Sequence, residues 1–92
     1  MNKYITIKLP TDVQVQLALK FKELRKSKKY SQALLAQKSG VSLGSIKRFE
    51  SSSQISFESL LKLANLFNRL DDFDMVFKID TNLEHIKKLF SK

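Results

Sequence analysis

Residues 31–50 read SQALLAQKSGVSLGSIKRFE, and the order of caps, apolar positions and glycine in this stretch decides the fold. Ser31 stands where a hydroxyl accepts the free N–H groups of a helix start. Leu35 and Ala36 supply that helix with an apolar stripe, and Gly40 ends it as the residue that tolerates a left-handed C′ position. Only a turn follows. Val41 is apolar, Ser42 is a second N-cap, and Ile46 with Phe49 gives the next helix, over about 43–51, one buried edge.

Upstream, Tyr4 to Leu9 alternates apolar and polar residues up to Pro10, which predicts a short strand. Beyond it, Thr11 with Gln14 forms a capping-box pattern, and Val13, Leu17, Phe21 and Leu24 make a 3.6-period stripe, so a helix is expected over about 12–28. That helix leaves a second apolar edge, Val15 and Leu19, which one helix cannot turn toward the same core. These two residues are expected to meet the N-terminal strand or another protomer. The run Arg25-Lys26-Ser27-Lys28-Lys29 closes the helix with cations where the macrodipole favours them.

Downstream, the polar linker Ser51-Ser52-Ser53-Gln54 precedes Ser56, the N-cap of an amphipathic helix carrying Leu60, Leu61, Leu63, Ala64 and Phe67 and ending near Asn68. Asp71 and Asp72 then open a short helix with Phe73, Val76 and Phe77, and this Phe-rich tail, with Phe90, reads as core and dimer packing. Thr81 with Glu84 opens a last one bearing Leu83, Ile86, Leu89 and Phe90, a stripe that must dock on this chain or on another. The expected organisation is an N-terminal arm over 1–10, a helical domain over 11–79 and a helical extension over 80–92.

At 92 residues and 42% hydrophobic the chain has the size of one compact domain, and two Gly and one Pro are few for a fold of tight hairpins. Without Cys there is no disulfide or thiolate metal site, and one His, His85, offers no imidazole pair. The aspartates at 71, 72, 74 and 80 lack the Gly and Glu spacing of a calcium loop. Neither a phosphate-binding Gly loop nor an H-E-x-x-H pattern occurs. No enzyme, metal or cofactor is therefore expected. No run approaches the ~20 apolar residues of a membrane span, and MNKYITIKLP has no secretory pattern, so a soluble cytoplasmic protein is expected.

The net charge is +8, and it is uneven. Residues 1–54 hold eleven Lys/Arg against three Asp/Glu, whereas residues 55–92 hold six of each. Such a bias is either a solvated basic face or the footprint of an anionic partner, and the two short helices favour the partner. Two helices joined by a glycine turn and flanked by longer apolar helices are the parts of a helix-turn-helix. Stepping ~100° per residue from a buried Ile46 puts Gly44, Lys47, Arg48 and Ser51 outward, with Leu43 and Ser45 at the margins. Lys47 and Arg48 offer donors to guanine or phosphate, and Leu43 an apolar contact to a thymine methyl. Ser42, Ser45 and Gln32 sit where hydroxyls, an amide and helix N–H groups meet phosphates. Gly44 costs its helix about 1 kcal/mol relative to Ala, so close approach or packing must retain it.

This stretch resembles the Cro/repressor-type, or XRE, helix-turn-helix family. Ser31-Gln32, Leu35-Ala36, Gly40-Val41-Ser42, Ile46 and Glu50 fall on the family's motif positions, within a five-helix pattern over roughly residues 17–78. The resemblance implies an all-α fold in which Gln32 contacts DNA from the first motif helix, while Leu43, Gly44, Lys47 and Arg48 lie on the recognition helix. It also implies a partly buried ion pair between Arg25 and Glu50. The longer stretch VSLGSIKRFESSSQISFESLLKLANLFNRLDDFDMVF, with the alternating N-terminal strand, is similar to HipB-like antitoxins, which accompany HipA-type kinase toxins and repress their own operon. Leu34 departs from the charged residue usual at its position and is a candidate partner surface, together with Leu83, Ile86 and Phe90. The Ser-rich turn at 51–53 replaces the more usual Asn/Gly turn.

The expectation is thus an all-α homodimeric repressor with a short N-terminal strand, reading an inverted-repeat operator in double-stranded DNA. The alternatives are a module that mainly restrains a partner protein, a stand-alone regulator, and a nonspecific DNA binder.

Overall fold

The computed structural model describes residues 8–79, which form four α-helices and one 3₁₀ helix: α1 Pro10–Ser27, α2 Gln32–Ser39, α3 Leu43–Ser52, α4 Phe57–Leu66, and the 3₁₀ helix Leu70–Met75. No strand occurs among the described residues. The strand expected over Tyr4–Leu9 lies outside them except for Lys8 and Leu9, and Leu9 is the N-cap of α1. α1 accordingly begins before the expected residue 12. Pro10 provides a helix-compatible φ at the first position, and the Asp12 carboxylate accepts the Leu9 N–H at 2.9 Å, so Asp12 rather than Thr11 caps this end. The extension over 80–92, including Leu83, Ile86, Leu89 and Phe90, lies outside the described residues.

The core is small and aromatic. Ala18 and Phe21 of α1, Leu35 of α2, Val41 of the turn, Ile46 and Phe49 of α3, Leu63 of α4 and Phe67 just after it form one buried cluster. Phe21 lies between Phe49, with ring centroids 5.3 Å apart, and Phe67, in edge contact at 6.0 Å. Such aromatic pairs add about 0.5–1.5 kcal/mol each beyond their burial. Tyr30 stacks on Phe67 at 6.0 Å and extends the cluster to the α1–α2 turn.

α1 buries only the second half of the stripe that its periodicity suggests, Phe21 fully and Leu24 in part. The side chains turned inward are Ala18, Phe21 and Arg25, whereas Val13 and Leu17 are 49% and 36% exposed. The reason is length: α1 has 18 residues and the helices packed beneath it have 8 to 10, so its first half projects beyond the core. The second edge, Val15 and Leu19, is open as well, at 46% and 52%.

Ser51 and Ser52, expected in a linker, are the last turn of α3, and Ser53 ends it in the left-handed region at φ 64. Gly40 closes α2 at φ 80, where a glycine carries no Cβ penalty. The short helix expected at 71–77 is the 3₁₀ helix, and only Phe73 of its apolar residues finds cover, against Phe57 at 5.9 Å. Val76 is 56% exposed and Phe77 99%, so this part of the Phe-rich tail adds nothing to the core formed by the described residues.

Candidate nucleic-acid interface

Three elements converge on one surface: the end of α1, the start of α2 and the whole of α3. Both short helices are entered through serine caps. Ser31 Oγ accepts the Leu34 N–H at 3.0 Å, and Ser42 Oγ accepts the Ser45 N–H at 3.1 Å. The Ser42 and Ser45 hydroxyls also hydrogen-bond each other at 2.9 Å, so the two side chains form one polar pair at this helix start.

Along α3, Ile46 and Phe49 are 0% and 1% exposed and point into the core. Gly44, Lys47 and Arg48 are exposed on the other side, with Leu43 and Ser45 half-buried at the margins. A Cβ on Gly44 would meet no atom of the described residues within 4 Å, so packing among them does not require the glycine. What remains is the smoothness of the outer face, which lets a backbone approach a neighbouring surface closely.

The position of this face is set by a buried network. Arg25 Nε donates to Glu50 Oε2 at 2.7 Å and Nη2 donates to Oε1 at 2.9 Å, a bidentate pair joining α1 to the end of the outer face. Arg25 Nη1 donates to the Tyr30 carbonyl at 2.8 Å, which holds the α1–α2 turn. The Gln32 amide donates to Glu50 Oε1 at 3.0 Å, so the side chain expected to meet DNA from α2 is tied to α3. The two ionic side chains are 10% and 4% exposed.

Burial pushes the Glu50 carboxyl up, but hydrogen bonds from Arg25 and Gln32, with the positive charges of Arg25 and Lys22, more than offset it and leave the carboxyl below its ordinary value. The hydrogen bond to Glu50 likewise raises Arg25, against its desolvation. Lys22 was not among the residues singled out from the sequence. It is half-buried and acts on Glu50, and so belongs to the α1 side of this surface. In sequence it is one lysine among several, and its place two turns before the motif carries no local signal. Tyr30 was missed for a related reason, because its part is played by a backbone carbonyl. Leu34 is half-buried on α2 and outside the hydrophobic core cluster; Leu83, Ile86 and Phe90 lie outside the described residues.

Two predictions follow the network and the face. Arg25→Met leaves Glu50 buried without its cation and is expected to cost about 3–5 kcal/mol in chemical denaturation. Because the folded-state carboxyl is depressed, the stability contributed by Glu50 is present above the unfolded carboxylate value and is lost as pH falls through the lower folded value. An acid titration of wild type and of Arg25→Met should therefore show the two curves converging as the pH falls below the ordinary carboxylate range. Gly44→Ala is expected to stabilise the free protein by about 1 kcal/mol while weakening its binding to duplex DNA, read by denaturation and by anisotropy.

A helix-turn-helix family model matches residues 21–73. No curated protein and no solved structure matched the chain. The matched family is DNA-binding and regulatory, not catalytic, and no helix among the described residues is long and apolar enough to cross a membrane. With more than half of its length matched, and with the two capped helices in the geometry just described, the chain belongs to the XRE-type helix-turn-helix family of DNA-binding regulators.

Proposed function

We propose that the protein is a sequence-specific transcriptional repressor that acts in the cytoplasm as a homodimer on an inverted repeat. The observation that carries this reading is the outer face of α3, where Gly44, Lys47 and Arg48 are exposed together over a rigid, buried support. A helix with this face fits the major groove, with Lys47 and Arg48 as donors, Leu43 as an apolar contact, and Ser42, Ser45 and Gln32 nearest the phosphates. Two copies would set their recognition helices about 34 Å apart, one turn of the duplex. Lys22 adds a phosphate-side charge from α1.

The HipB-like features of residues 41–77 support the finer reading, an antitoxin that represses its own operon and restrains a HipA-type kinase toxin. One observation favours protein binding beside DNA binding. Phe57, Leu70, Met75, Val76 and Phe77 are all more than 40% exposed around the 3₁₀ helix, more than scattered surface apolar residues account for.

The test is a fluorescence-anisotropy titration of the duplex upstream of the protein's own gene, beside a scrambled duplex, at two salt concentrations. Preference of about 10³ or more for the upstream duplex is expected, and equal, salt-sensitive binding of both would reduce the protein to a nonspecific binder. Arg48→Ala should weaken specific binding by about 1–3 kcal/mol with the fold intact. For the antitoxin reading, the product of the adjacent gene should co-purify as a stable complex, and Leu34→Glu should weaken that complex without changing DNA affinity.

A further inference from the structure

The overhanging half of α1 carries a strip that is unpartnered among the described residues and whose charge pattern is its own complement. Asp12, Gln16 and Lys20 lie on one ridge at i, i+4 and i+8, and Val13 and Leu17 lie beside them. These five residues, with Lys8, line one shallow hollow. Leu17 and Lys20 also line a second hollow of about 280 Å³, which runs between α1 and α4 against Leu24, Leu60, Ala64 and Phe73. An acid, an amide and a base in this order read the same backwards with the charges exchanged.

We infer that this strip is where two copies of the chain meet, with their α1 helices antiparallel and crossing at Gln16. In that register Asp12 of each copy faces the partner's Lys20, and the two Gln16 amides face each other. Val13 and Leu17 pack across the twofold axis. Leu9, 55% exposed at the tip of α1, stands ~10 Å from the crossing point and Leu24 ~12 Å on the other side, so each Leu9 is brought over the partner's α1–α4 hollow. Such an interface is isologous and closes at two copies. Asp12 spends one oxygen on the Leu9 N–H and keeps the other for the partner. The pairing also leaves the outer face of α3 free. Lys20 is ~200° around α1 from Lys22, the residue that faces Glu50, so the two surfaces use opposite flanks of one helix. A strip of this length is smaller than the ~800 Å² per partner of a standard interface, so the free protein is expected to be a micromolar dimer.

The inference deepens the homodimer reading above, and its test uses the full chain without DNA, so that failure of one is distinguishable from failure of the other. Sedimentation of wild type should show a reversible monomer–dimer equilibrium that weakens with salt. Lys20→Glu and Asp12→Lys, each alone, should raise the dissociation constant by about 10-fold or more, because each sets like charges opposite one another twice. An equimolar mixture of the two variants should recover association as a heterodimer, which restores both opposite-charge pairs. Unchanged helical circular dichroism of Lys20→Glu controls for the fold, and the mixing experiment controls for loss of the Asp12 cap. A wild type that stays monomeric, as it would if residues 80–92 covered the strip within one chain, overturns the inference. So does a dimer indifferent to Lys20→Glu, or a mixture that recovers nothing.

Discussion

The bidentate contact between Arg25 and Glu50 is the constraint on which the geometry of the functional surface depends. It links the end of α1 to the end of α3 across the motif, and the third guanidinium nitrogen holds the turn into α2. Removing two charges from water costs about as much as their attraction returns, so a buried pair of this kind contributes less to net stability than to the uniqueness of the arrangement. Here every buried side-chain polar atom among the described residues has a partner. With Gln32 joined to the same carboxylate, the angle between α2 and α3 is set by directed hydrogen bonds as well as by apolar contact, which alone would tolerate sliding.

Around that contact the packing is economical. Among the described residues eight buried apolar side chains serve four helices, and three of them are phenylalanines, with Phe21 touching both Phe49 and Phe67. A core of this size cannot reach the first half of α1, and the polar face of the molecule and its open apolar edges have the same origin. The short helices needed to present α3 to a groove are too short to cover a helix of 18 residues. The open edge and the outer face of α3 lie on opposite flanks of α1, so the proposed pairing of two copies would leave the proposed DNA contacts free.

The charge distribution points the same way. The excess of Lys and Arg lies in residues 1–54, which contain α1, α2 and α3. Two of the three acids in that region are engaged, Asp12 in capping α1 and Glu50 with Arg25, while Glu23 shares α1 with four cations. Little negative charge is left on the basic side to compete with phosphate, and attraction of DNA from a distance follows from composition before any base is read.

Much of this was legible in the linear chain because it is local. Ser31, Ser42 and Ser56 act within one turn of themselves, Gly40 answers a backbone angle, and Ile46 with Phe49 marks a period that needs no distant partner to be recognised. The pairing of Arg25 with Glu50 was legible only through family resemblance, since 25 residues separate the two. Other features depended on how far neighbouring helices reach. The exposure of Val13 and Leu17, the collapse of residues 70–75 into a 3₁₀ helix and the place of Lys22 beside Glu50 all follow from tertiary lengths and angles. Periodicity states which residues share a face of a helix. Whether that face is covered is decided by the surface opposite it, and only the tertiary structure supplies that surface.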